Sequence, residues 1–172
     1  MGSDGGEMSE GGFLMGLLVR WATRWDRKAL VGMLEALAVQ HGVEVSEEKL
    51  SAAFDHALAN PAQVRFAVAQ RDDEVVGIVS LQEAYSTWQA AAYGTIEDFY
   101  VKAGEREKGV GTELLALLME EARRRGYCRV ELQVQEDNDA AWKFYEARGF
   151  RFKGNLVYAH DLELAGEESS ED

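Results

Sequence analysis

The run Arg106–Glu107–Lys108–Gly109–Val110–Gly111–Thr112, which leads directly into a helical pattern, is the densest concentration of usable chemistry in the chain. Glycines at the mouth of a helix let backbone N–H groups approach a ligand that a β-carbon would hold off. The helix N-terminus adds donors and a partial positive charge, so the place is preset for phosphate. Its neighbours narrow the ligand. Gly104 and Gly109 have the spacing of a Walker loop, but Val110 stands where lysine is needed, which argues against ATP or GTP. A dinucleotide fingerprint needs glycine at 114, where the chain has Leu114. What remains is Arg-x-x-Gly-x-Gly before a helix. Gly109, Val110, Gly111 and Thr112 form the backbone cradle, and Arg106 and Lys108 are the candidate side-chain contacts.

Downstream lies Asn138–Asp139–Ala140–Ala141–Trp142–Lys143–Phe144–Tyr145, ending in Gly149–Phe150. The two stretches, in this order and joined by a helix and a strand, resemble motifs A and B of the GNAT N-acetyltransferase superfamily. The resemblance is close from Asp98 to Phe150 and rests on element order from Leu17 to Glu97. It implies an α/β fold with a central, twisted mixed sheet flanked by helices, and acetyl-CoA as co-substrate without a metal. It also implies that the glycine loop holds the pyrophosphate. Tyr145 falls at the general-acid position, where a phenol, with an ordinary pKa of about 10, gives its proton to the departing thiolate. Asn138 is a helix cap by residue type, with a cofactor contact added by the resemblance, and small Ala141 lets the cofactor pass. The commonest family form has glycine after the arginine. Here Glu107 occupies that position and brings a negative charge, which Lys108 can offset.

Tyr93–Lys102 reads as one strand. Alternation puts Tyr93, Thr95, Glu97, Phe99 and Val101 on one face, with Gly94, Ile96, Asp98, Tyr100 and Lys102 on the other. The resemblance implies that this strand splays from its neighbour, so that the backbone of Phe99, Tyr100 and Val101 pairs with the pantetheine arm. It implies too that one N–H there polarises the thioester carbonyl. Glu97 and Asp98 are carboxylates suited to attracting an ammonium ion, and Glu97 could help remove its proton through water. Tyr85–Ser86–Thr87–Trp88 and Ile96–Glu97–Asp98–Phe99–Tyr100–Val101 resemble the polyamine and thialysine acetyltransferase branch. There the Glu-Asp pair binds substrate, and Trp88 could stack on the amine. Alternation lets only one of Glu97 and Asp98 face a given site unless a bulge intervenes.

The resemblance implies transfer of an acetyl group to a small basic amine, in a direct ternary complex because no sequence feature supplies a covalent nucleophile. Alternatives are a protein, peptide or aminoglycoside acceptor, and a non-catalytic acyl-CoA-binding module. Cys128, the single cysteine, reads as a core position within a strand and excludes an internal disulfide. His41, His56 and His160 are scattered, and no Cys–His cluster suggests a metal. The net charge of −13 includes three acids in residues 1–12 and four in 165–172, leaving −6 on the body. That balance disfavours nucleic acid and favours a cationic partner. The apolar run Phe13–Val19 is too short to span a membrane. The expected protein is cytoplasmic, touches no membrane, and has a homodimer as its candidate assembly.

The elements that must position these residues follow from periodicity. Residues 13–164 read as one domain between acidic, disordered ends at 1–12 and 165–172. Strands are expected at 13–22, 64–69, 74–83, 93–102, 129–135, 150–152 and 156–162, with a hairpin turn at Arg71–Asp72–Asp73. Residues 85–91 read as a loop or irregular strand end. Helices are expected from Asp26, as cap, to Gln40, from Ser46 to Ala59, over 109–125 and over 138–148.

Overall fold

The computed structural model describes residues 16–154 and residue 159. The expectations for residues 1–12, for Phe13 and Leu14, for the strand at 156–162 and for 165–172 fall wholly or largely outside these residues. The chain forms two compact units, one ending at Gln133 and the other starting at Val134.

The first unit holds strands β1 (Leu17–Trp21), β2 (Val64–Arg71), β3 (Glu74–Ser86), β4 (Ala91–Ile96), β5 (Phe99–Val101) and β6 (Val130–Leu132). Its helices are α1 (Arg27–Gln40), α2 (Glu47–Ala59) and α3 (Val110–Arg124). The sheet runs β1-β2-β3-β4-β6, with β5 also on β3. All pairings are antiparallel except β4 with β6, so the sheet is mixed, as expected. One core gathers Leu30, Met33 and Leu34 of α1, Phe54 and Ala57 of α2, and Phe66, Val68, Val75 and Ile78 of the sheet. Helix α3 packs through Val110, Leu114, Leu115, Leu118 and Ala122, all buried. At Gly77 a β-carbon would come within 3.1 Å of Leu114 Cδ1 and Val110 Cγ1, so glycine there lets α3 lie close on the sheet.

Turn chemistry accounts for several boundaries. Asp72 and Asp73 both have positive φ in the two-residue loop between Arg71 and Glu74, the geometry that matches strand twist in a tight hairpin. Ser46 accepts a bond from the Lys49 N–H and caps α2. Asp26 does not cap α1 through its side chain. Its carboxylate turns back to accept the Thr23 N–H at 2.7 Å and the Arg20 guanidinium at 2.8 Å, closing a 3₁₀ turn at Arg24–Asp26.

Three further expectations are corrected. The strand over 93–102 is broken at Glu97–Asp98, and β4 starts at Ala91 while β3 runs on through Ser86. Residues 150–152 carry no strand. Cys128 is exposed and precedes β6, which starts at Val130; its N–H joins the Ala92 carbonyl at 2.8 Å, with the side chain outside the core.

The second unit contributes α4 (Asp139–Glu146). No helix among the described residues is long and apolar enough to cross a membrane.

Candidate active site

The glycine loop adopts the conformation its residues demand. Gly109 has φ +83°, a left-handed backbone that glycine takes at no steric cost, and it forms the N-cap of α3. Its carbonyl accepts the first helical bond, from the Glu113 N–H at 3.1 Å, so the turn Val110–Gly111–Thr112 opens N-terminal to the hydrogen-bonded ladder. Glu107 also has positive φ, +62°. This is why glycine suits the position after the arginine, and Glu107 holds that conformation with a β-carbon. Arg106 donates from Nε to the Val101 carbonyl at 3.0 Å. Lys108 reaches Glu105 at 3.2 Å, and Arg71 meets the same carboxylate at 2.9 Å. Both cations hold the Glu105 carboxyl below its ordinary range, hydrogen bonding from Lys108 contributing most.

Strand β6 pairs with β4 as far as Ile96 and does not continue along β5. Ser80 N–H to the Asp98 carbonyl and Lys102 N–H to the Val76 carbonyl, both 2.9 Å, aim residues 98 and 102 at β3. Antiparallel alternation then turns the backbone groups of Phe99 and Val101 to the opposite edge.

The break between β4 and β5 is a β-bulge. Gln82 pairs with Thr95 and Val79 with Phe99, so two β3 residues, Ser80 and Leu81, face three, Ile96, Glu97 and Asp98. Ser80, 0% exposed, fastens it. Its hydroxyl accepts the Asp98 N–H at 2.9 Å and donates to Asp98 Oδ2 at 2.8 Å. Glu97 is exposed and accepts from the Gln82 amide. Burial, resisted by the Ser80 bond and reinforced by the Glu97 charge, pushes the Asp98 carboxyl above its ordinary range.

The bulge removes the constraint of simple alternation. Glu97 and Asp98 both line one cavity of about 670 Å³, with Leu34 of α1, Leu50 and His56 of α2, and Phe66 of β2 among its other walls. Trp88, 97% exposed in the turn between β3 and β4, does not line it.

In the second unit, Asn138 Oδ1 caps α4 by accepting the Ala141 N–H at 3.1 Å. Tyr145 is buried, edge-on to Phe144 at 5.1 Å and Phe150 at 5.5 Å between ring centres. Burial raises its phenol well above the ordinary value, so it stays protonated at neutral pH.

A model of the acetyltransferase (GNAT) family matches residues 30–150. The chain belongs to that family. The acetyltransferase is 33% identical over 88 residues to an aminoalkylphosphonate N-acetyltransferase of Salmonella typhimurium, covering 51% of this chain and 57% of that protein. It is 28% identical to a thialysine N-epsilon-acetyltransferase of Bos taurus, over 87% of this chain and 98% of the relative. In fold it matches a predicted acetyltransferase with acetyl-CoA from Clostridium acetobutylicum, with a TM-score of 0.70, 20% identity, and coverage of 84% of this chain and 96% of that one. The acetyltransferase uses acetyl-CoA as its co-substrate, and its reaction is N-acetyl transfer.

A helix N-terminus opened by a left-handed glycine fits a pyrophosphate. Among the described residues no group of three His, Cys, Asp or Glu side chains is placed to hold a metal ion. Sequence reasoning missed Ser80, His56 and Gln82, which touch the bulge or its cavity. A serine inside an otherwise apolar run, Val75–Leu81, was the one available signal for Ser80.

Proposed function

We propose that the acetyltransferase acts on a small cationic amine, of the diamine, polyamine or lysine-like class, bound in the cavity at the bulge and acetylated directly in a ternary complex. One observation carries the reading. The carboxylates of Glu97 and Asp98 share a cavity with apolar walls, and neither is ion-paired among the described residues. A carboxylate withdrawn from water, as Asp98 is, ordinarily carries a cationic partner, and an ammonium substrate with a methylene chain supplies one while filling the apolar part, with exposed Glu97 beside it adding to the attraction. The Bos taurus relative, a thialysine N-epsilon-acetyltransferase, supports the same class. In this reading the α3 N-terminus with Gly109, Val110, Gly111 and Thr112 takes the pyrophosphate, aided by Arg106 and Lys108. The outer edge of β5 at Phe99–Val101 takes the pantetheine arm, Asn138 and Ala141 border the cofactor, and Trp88 is the residue offered for stacking on the amine. Tyr145 protonates the departing thiolate.

The test is acetyl-CoA turnover with a panel of cationic and neutral amines. Glu97→Gln is expected to raise KM for a diamine several-fold, with the penalty shrinking at high salt, while acetyl-CoA affinity by calorimetry holds. Neutral amines outperforming polyamines overturn the reading. Tyr145→Phe is expected to lower kcat about 10²–10⁴-fold; a fall below about threefold makes the residue structural.

A further inference from the structure

The geometry points to Asp98, positioned by Ser80, as the group that takes the proton from the acceptor ammonium, with Glu97 serving to attract the cation. The inference rests on the reading of the bulge cavity as the acceptor site. It follows from how the two neighbouring carboxylates are held.

Asp98 is fixed by three bonds to a single residue. Its carbonyl accepts the Ser80 N–H at 2.9 Å, its own N–H goes to Ser80 Oγ at 2.9 Å, and that same hydroxyl donates to Oδ2 at 2.8 Å. One small side chain that both accepts and donates therefore sets the backbone and the carboxylate together. Alanine can do neither. Oδ1 has no protein donor among the described residues, and none of their buried side-chain oxygens lacks a partner. Oδ1 is therefore not sealed from solvent, on a residue that lines the cavity. Glu97 differs on each count: it is exposed, and it accepts a bond from the Gln82 amide. Burial lifts the Asp98 carboxyl above its ordinary range, which matches it better to an ammonium, and its two-point hold by Ser80 keeps it aimed.

The other ionisable groups at the cavity are His56 from α2 and Glu83 from β3. Glu83 accepts the Tyr127 hydroxyl at 2.7 Å and lies 3.7 Å from Arg125, so its carboxylate is already committed.

The step balances as follows. A proton passes from the R–NH₃⁺ nitrogen to Asp98 Oδ1, leaving R–NH₂ and a neutral carboxyl. The nitrogen lone pair forms the C–N bond to the thioester carbonyl, and the C–S bond breaks with its electron pair on sulfur. The thiolate takes up one proton, the nitrogen loses its second, and Asp98 returns its proton to water through the open cavity. The net release is one proton.

The experiment is the pH profile of kcat at saturating acetyl-CoA and diamine for the wild type, Asp98→Asn, Ser80→Ala and Glu97→Gln, with folding checked by circular dichroism. The wild type is expected to lose activity toward acid along a single limb. Asp98→Asn should lower kcat about 10²-fold or more and abolish that limb, with KM for acetyl-CoA within about twofold. Glu97→Gln should keep the limb. Ser80→Ala should move the limb to higher pH, because the lost hydroxyl no longer favours the ionised carboxylate. A merely structural role for Ser80 leaves it in place. Loss of the limb in Glu97→Gln, its retention in Asp98→Asn, or an unmoved limb in folded Ser80→Ala overturns the assignment. Should Ser80→Ala not fold, the Asp98 and Glu97 variants still decide. Failure of the cationic-amine reading looks different: neutral amines are then turned over equally well, with the Asp98 limb intact.

Discussion

Two carboxylates in the first unit illustrate opposite uses of burial. Glu121, 6% exposed on α3, accepts bonds from Arg65 at 2.9 Å, Arg124 at 2.7 Å and Arg125 at 2.8 Å. Hydrogen bonding from Arg124 and Arg125 outweighs burial and holds its carboxyl down at about 2. Asp98 has a neutral hydroxyl for its partner, and burial wins, pushing its carboxyl up. At Glu121 the protein supplies every cation the carboxylate requires, so the group is finished and structural. At Asp98 no ion pair forms among the described residues and the residue lines a cavity, the arrangement that the proposed ammonium substrate would fit. Whether a buried charge marks a function depends on who provides its partner.

The sharpest way to break this contrast is Glu121→Ala. Arg65, stacked 3.9 Å over the Trp21 ring, and Arg125, bonded also to the Pro61 and Ala62 carbonyls, would then face one another without a shared acid. The expected loss is about 3 kcal/mol, read by denaturant unfolding at pH 7, with KM for both substrates unchanged in the folded fraction. The pH dependence has a definite sign. Because the folded-state pKa of Glu121 lies below its unfolded value, its contribution is present above about pH 4.5 and is lost as pH falls toward 2. Glu121→Gln should flatten that part of the acid-unfolding curve.

Asp98 runs the other way. Its folded-state pKa is raised, so the folded chain binds the proton more readily than the unfolded one. Ionisation therefore subtracts from stability as pH rises through and above the ordinary aspartate range. Asp98→Asn is accordingly expected to raise Tm at pH 7 while lowering activity, with the gain vanishing near pH 3. A destabilised variant at pH 7 would mean that the charged bond to Ser80 outweighs burial. The smallest effect belongs to Arg124→Ala. Its side chain is 68% exposed, and the expected change in the denaturant midpoint is within the scatter of ordinary surface substitutions; a clear loss would show that Glu121 depends on all three arginines.

Local chemistry was legible in the residues themselves. The glycine turn opening α3, the Ser46 cap, the hairpin at Asp72–Asp73 and the apolar stripe of α3 depend on neighbours within a few positions, and propensity reports such neighbours directly. The resemblance to motifs A and B drew on that same local signal, and the family match agrees with it. The strand over 93–102 read as continuous because its alternation is unbroken on paper, and nothing within it announces an extra residue.

The bulge at Glu97–Asp98 arises from a mismatch of register with β3, a strand some fifteen or more positions earlier in the chain. Its fastening by Ser80, the shared cavity with α1 and α2, and the arginines around Glu121 join residues remote in sequence. The sequence by itself determined where helices and turns begin, which residues could cradle a phosphate, and which family pattern the chain follows. Tertiary structure alone decided that both carboxylates line one cavity, that Asp98 is held inside by Ser80 while Glu97 meets Gln82 at the surface, and that Glu121 is neutralised. The physical reason is that burial and cation supply are properties of assembled surfaces, and no window of neighbouring residues contains them.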